Sequence, residues 1–278
     1  MKEYPLFSKQ DVKKLGEYLK EKLSSDPGFQ IFNRFVNSEV GPSKMLMEHV
    51  GDMINKQQVF NLIDDQIAAR NAIIDRAKKQ TRQHDKSVII VKGGPGTGKS
   101  VIALEVMGEL MRSGKPVFHA TGSSAFTKTL RKMVGKRAEK FYKFFFNFTQ
   151  MKENEIGVLI CDEAHRIRKD SYNWGVPSMF KSKNPQIDDL IRPAKLSVFF
   201  IDEHQIVRPT EIGNVDLIKK TAEKLGVLKS NIYEFELKTQ FRCSGSDSFL
   251  QWIEDVLGIR ESEMPISLEA SGMEFKIV

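Results

Sequence analysis

The sequence predicts an α/β domain, a parallel sheet flanked by helices, preceded by a small helical region. Three observations predict it. The run Gly93-Gly-Pro-Gly-Thr-Gly-Lys-Ser100 fits the phosphate-loop pattern, from Gly93 through Gly98 to Lys99 and Ser100. A β-branched run, Ser87-Val-Ile-Ile-Val91, precedes it, and a segment of helical periodicity, Val101–Met111, follows. From there on, short apolar runs alternate with helical or polar stretches, as a sheet covered on both faces requires.

Taken in order, residues 1–84 read as helical and polar. Gln10 to Leu23 is amphipathic, Asp26-Pro-Gly28 breaks it, Lys44 to Ile54 resumes, and Asp64 to Ala77 is a further helix leading to the first strand. Later strand candidates are Pro116–His119, Gly157–Cys161, Ser197–Ile201 and Ile232–Phe235. Arg166 to Pro185 is polar, charged and broken by Gly and Pro, with Trp174 inside it. It is long for an unstructured connection, which leaves a functional loop or a partly ordered one.

At 278 residues the chain accommodates one large α/β domain and a smaller helical one. No stretch approaches the roughly 20 apolar residues of a membrane span. Met1-Lys-Glu-Tyr-Pro-Leu-Phe7 lacks the apolar core of a signal peptide, so the expected location is cytoplasmic, with no membrane partner. Cys161 and Cys243 have no metal-ligand spacing, and Cys161, ending an apolar run, reads as a buried structural thiol. The net charge of +7 is compatible with a polyanionic partner. Lys128, Arg131, Lys132, Lys136, Arg137, Lys140 and Lys143 crowd one segment, and Phe141, Tyr142, Phe144, Phe145, Phe146 and Phe148 run through its end. Cations with rings suit single-stranded nucleic acid. A solvated helix face followed by core-packing rings is the other reading, and for the rings it is preferred.

The chemistry follows from residue type and position. Gly93, Gly94, Pro95, Gly96, Thr97 and Gly98 form a cradle whose glycines bring backbone N–H groups onto one anion. Lys99 adds a point charge, and Ser100 a hydroxyl for Mg²⁺. Val158-Leu-Ile-Cys-Asp-Glu-Ala-His165 is an apolar strand ending in two carboxylates. With its C-terminal edge expected beside the phosphate loop, Asp162 holds Mg²⁺ through water and Glu163 polarises the water that attacks the γ-phosphate. Gln205, after a second such strand, is placed to sense the γ-phosphate. Arg242, after the last strand candidate, is placed to clamp it.

The order of these pieces resembles superfamily 1 helicases. It is more closely similar to an uncharacterised bacterial and phage family of helicase-like P-loop proteins related to the Schlafen helicase module. The resemblance rests on Leu62-Ile-Asp-Asp-Gln66, Gly93–Ser100, His119-Ala-Thr-Gly-Ser-Ser124, Asp162-Glu-Ala-His165, Phe200-Ile-Asp-Glu-His-Gln205 and Gln240-Phe-Arg-Cys-Ser-Gly245. It implies a RecA-like P-loop NTPase over residues 85–265, behind the helical region 1–84. It also implies that Gln66 reads adenine, that Phe241 stacks on the base, and that Thr121 and Ser124 touch a nucleic-acid backbone. His204 and Gln205 match the motif that couples the γ-phosphate to strand movement. No Asn-Lys-x-Asp follows the phosphate loop, in keeping with ATP over GTP.

Such helicases hold ATP and the strand between two RecA-like domains. Residues 266–278, with Phe275-Lys-Ile-Val278, are where a second domain would begin. Unwinding by this chain alone is therefore not expected, whereas ATP binding is, with slow hydrolysis. The expected function is that of the first motor domain of an ATP-dependent helicase or translocase. Its partners would be ATP, Mg²⁺ and single-stranded DNA or RNA, acting as a monomer. The alternative is an ATP-bound switch or scaffold that recruits a protein through its N-terminal helices. A small-molecule kinase fits less well, because Asp162-Glu163 suits the activation of water.

Overall fold

Strand β1 (Ser87–Gly93) runs on from the β-branched stretch into the first glycine of the phosphate loop, with its first five residues buried. The computed structural model describes residues 13, 14, 17, 62–79, 86–134, 136, 138–205 and 208–238. The chain divides into two compact units, Met1–Gly41 and Pro42–Val278. In the first, residues 13, 14 and 17 are helical. The rest of the expected N-terminal helices, and residues 239–278, lie outside the described residues.

Among the described residues the second unit is built on six strands. After β1 come β2 (Val117–Thr121), β3 (Tyr142–Phe144), β4 (Ile156–Asp162), β5 (Ala194–Ile201) and β6 (Ile232–Leu237). Every pairing is parallel, and the order across the sheet is β3-β2-β4-β5-β1-β6. The described helices are α1 (Asp64–Lys79), α2 (Lys99–Arg112), α3 (Ser124–Val134), α4 (Gln186–Ile191) and α5 (Val215–Lys224). Among the described residues no helix is long and apolar enough to cross a membrane.

The continuous apolar runs are explained by a core on each face. Ile89, Val91, Val198 and Phe200 point to one face, where Ile73 of α1, Ile102 and Met107 of α2 and Leu130 of α3 cover them. Val88, Ile90, Phe199 and Ile201 point to the other, under Ile187 and Leu190 of α4 and Ile218 of α5. A strand buried on both sides has no polar alternation to show. Truncating a ring such as Phe200, fully buried, is expected to cost about 3–5 kcal/mol.

Three features differ from expectation. Helix α1 packs Ala69, Ile73 and Ala77 into the core of the sheet. It therefore belongs with the phosphate-loop domain, and the compact units divide at Gly41 and Pro42 rather than at residue 84. Strand β3 is an added edge strand inside the aromatic run. Tyr142, Phe145 and Phe148 of that run are buried, while Phe141, Phe144 and Phe146 are half-buried. Finally, β5 lies between β1 and β4, so the Asp162 strand is not the immediate neighbour of the phosphate-loop strand.

Candidate nucleotide site

The cradle is set by backbone conformation and one brace. Gly96 and Gly98 take φ of 82° and 86°, in the left-handed region that favours glycine. The Thr97 hydroxyl donates to the Gly94 carbonyl (2.9 Å), closing the loop on itself. Gln66 Nε2 donates to the Thr97 carbonyl (2.8 Å), while its Oε1 accepts from Ile63 N (3.2 Å). Gln66 is only 3% exposed, and a Cβ on Gly98 would collide with its amide. Gln66 thus reaches the loop itself, and its Nε2 is committed to Thr97. Asp65 fixes the helix start, its Oδ2 accepting from Lys238 N (2.8 Å) just past β6.

Lys99 opens α2, and its ammonium folds back into the loop. Nζ donates to the carbonyls of Gly93 (2.6 Å) and Gly94 (2.7 Å). The Asp202 carboxylate stands beside it, with Oδ2 at 3.7 Å from Nζ. Asp202 follows β5 directly; it is buried, and its Oδ1 accepts from His204 N (3.1 Å). Its Oδ2 accepts no hydrogen bond from any described residue.

The other carboxylates lie one strand further along. Asp162, 1% exposed, accepts from Glu163 N through Oδ1 (2.9 Å). Its Oδ2 has His119 Nε2 at 3.6 Å and no hydrogen bond among the described residues. Glu163 sits at φ 57°, unusual for a residue with a side chain, which turns it off the strand axis. Its Oε2 meets His165 Nε2 at 3.1 Å and Arg166 Nε at 3.3 Å. Burial pushes the Glu163 carboxyl up, but His165 first and Arg166 second outweigh it and hold the group down at about 2. Gly213 presses on the next turn so closely that a Cβ there would collide with the Ala164 carbonyl.

These donors suit Mg²⁺. An acceptor oxygen of Asp162 is buried with no hydrogen bond among the described residues, and the ion prefers one or two carboxylates plus water and phosphate over a protein cage. Ser100, in the first turn of α2, offers a hydroxyl. Among the described residues no group of three or more His, Cys, Asp or Glu is clustered for a metal.

The remaining expected residues fall as follows. Gln205 lies in the turn after β5, its N donating to the Asp202 carbonyl (3.2 Å). Ser124 is exposed at the start of α3. Thr121 is 1% exposed, and its Oγ1 accepts from Ser123 N (3.1 Å). In this geometry it shapes the turn, and its side chain is turned away from any strand outside. Phe241 and Arg242 lie outside the described residues.

A family model described as Schlafen group 3, DNA/RNA helicase domain, matches residues 86–278. The chain belongs to this Schlafen group 3 helicase family. Its described fold is that of a RecA-like P-loop NTPase. Among solved structures it is similar to the Pif1 helicase from Candida albicans, at 17% identity and a TM-score of 0.41, covering 71% of this chain and 44% of that one. DnaI aligns at 14% identity and a TM-score of 0.38, over 70% of this chain and 98% of the other. Domain III of DnaA from Thermotoga maritima aligns at 15% identity and a TM-score of 0.35, over 73% and 75%. The chain spans less than half the length of the Pif1 structure. A comparison with curated proteins gives no match.

Within this Schlafen group 3 domain, Asp202 and His119 are the residues that sequence reasoning left without a role. Asp202 meets Lys99 only because β5 inserts beside β1, which no local pattern announces. His119 stood in a recognised motif, and the parallel pairing of β2 with β4 brings it to Asp162.

Proposed function

We propose that the chain is the ATP-binding and hydrolysing first motor domain of a DNA or RNA helicase or translocase of the superfamily 1 kind. The observation that carries this is the convergence on one sheet edge of a braced phosphate loop, a buried Asp162 oxygen with no hydrogen bond among the described residues, and an ionised Glu163. Lys99 exchanges the Gly93 and Gly94 carbonyls for phosphate oxygens. Ser100 and Asp162 would hold Mg²⁺, which would neutralise charge on the phosphates. Glu163 orients the attacking water and takes its proton. Gln205 and Arg242 contact the γ-phosphate, Phe241 stacks on the base, and Ser124 contacts a single strand.

Glu163 has to be released for this work. A carboxyl held near 2 by His165 and Arg166 is a weak base. Freed from them, it keeps the burial that raises its proton affinity. Resting turnover is accordingly slow. Glu163→Gln is expected to cut hydrolysis by about 10²–10⁴-fold with ATP still bound, while Lys99→Ala weakens binding itself. Steady-state hydrolysis with a fluorescent ATP analogue separates the two effects, and sustained hydrolysis in Glu163→Gln removes the assignment.

The same restraint on Glu163 supports a second reading, an ATP-dependent switch or scaffold that recruits a protein without translocating. ATP hydrolysis indifferent to nucleic acid, with a protein captured only in the ATP state, distinguishes it.

A further inference from the structure

Past Arg166, which holds Glu163, the connection runs on to Pro185 and its neck is firmly pinned. Gln186, 4% exposed, accepts from Arg168 N (2.9 Å) and donates through Nε2 to Ser171 Oγ (2.9 Å). Its own N donates to the Lys169 carbonyl (3.2 Å), and Ser171 N donates to the Ser182 carbonyl (3.1 Å). On the far side the Thr149 hydroxyl donates to the Phe180 carbonyl (3.1 Å). Beyond this neck the segment turns outward, leaving Trp174 98% and Tyr172 55% exposed. The Lys181 and Lys183 ammonium groups stand 5.5 and 5.2 Å from the centre of the Tyr172 ring.

Charge selects the occupant. Among the described residues neither lysine pairs with a carboxylate. The one acid of the segment, Asp170, is turned back onto Tyr172 N (2.9 Å), against Arg166, Arg168, Lys169, Lys181 and Lys183. An exposed indole on a pinned neck, in a segment whose Lys181 and Lys183 pair with no carboxylate among the described residues, suits a polyanion that also offers ring faces. An acidic peptide matches the charge but brings no regular series of rings. The segment also starts in the right place. A Cβ on Gly122 would come within 2.7 Å of Arg166 Cβ, so it leaves the sheet edge beside the Thr121–Ser124 turn.

We propose that Trp174 and Tyr172, with Lys181 and Lys183, form a stacking platform for single-stranded nucleic acid, continuing the strand path that passes Ser124. The proposal rests on the motor reading. It is tested with a fluorescein-labelled oligodeoxythymidylate and its uridylate counterpart, titrated into the full chain over a range of salt. Trp174→Ala weakens binding about tenfold and Trp174→Phe recovers most of it, because stacking needs only a ring. Lys181→Ala with Lys183→Ala lowers the slope of log affinity against log salt by about 1.4, two phosphate contacts on a single strand. Binding of a fluorescent ATP analogue is unchanged in these variants. In a Trp252→Phe background Trp174 is the one tryptophan of the chain, and its emission is quenched by the oligonucleotide. If the wild type binds a polymer and Trp174→Ala binds it equally well, the platform is overturned and the loop is left as a protein-docking surface. If the wild type binds neither polymer, the motor reading falls with it.

Discussion

The phosphate loop is braced by neutral hydrogen bonds, from Gln66 to the Thr97 carbonyl and from Thr97 to the Gly94 carbonyl. Glu163, on the same edge of the sheet, is instead held against His165 and Arg166. The first set of contacts joins neutral groups and does not titrate over ordinary pH. The second is partly exposed, with Arg166 at 32% and Glu163 at 26%, and responds to both pH and salt. One region is thus a fixed cradle for a constant ligand. On the proposed function, the other is a group in a resting position, whose contacts are exchanged during turnover.

The largest effect expected from breaking this contrast lies in the cradle. Gly98→Val places a β-branched side chain at φ 86° and against the Gln66 amide. Strain and overlap together should destabilise the domain by about 3 kcal/mol and abolish ATP binding, read by thermal unfolding and by a fluorescent ATP analogue. Gln66→Ala should cost less, about 1.5 kcal/mol, by leaving the buried Thr97 carbonyl without its donor. Its ATP affinity should fall while its turnover per bound ATP is retained, and an unchanged affinity would mean that the loop holds its shape without the brace.

The Glu163 side should show its character in acid. Its carboxyl is near 2 in the fold against an ordinary 4.5. The sign is that of a depressed acid. Its contribution to stability is complete above 4.5 and is lost as pH falls toward 2. His165→Ala removes the larger of the two lowering contacts, so burial pulls the carboxyl up and acid unfolding begins at higher pH. Circular dichroism across an acid titration checks this. Gln66→Ala, breaking a neutral bond, should leave the shape of that acid limb unchanged.

The same contrast governs what was legible in the sequence. The phosphate loop is contiguous, so Gly93–Ser100 could be read whole, and the flanking strand and helix agree within a few residues. Strands β1, β2, β4, β5 and β6 were each announced by an apolar run. Strand β3 was not, because three residues inside a run of rings carry no alternation. The pairing of Lys99 with Asp202 and of Asp162 with His119 depends on strand order, and order is a property of the packed sheet. Thr121 shows the converse. Its motif was legible, but only the pleat reveals that its side chain points inward. Gln66 was recognised by its place ahead of the first strand, yet its burial against Thr97 follows from α1 joining the core.

The most direct measurement is ATP hydrolysis by the chain with and without single-stranded DNA or RNA, using Glu163→Gln as the blank. Slow hydrolysis that one polymer accelerates, and that Glu163→Gln abolishes, is the predicted result: the strand releases Glu163 from its resting contacts. Hydrolysis that persists in Glu163→Gln, or a wild-type rate that neither polymer changes, would contradict the account.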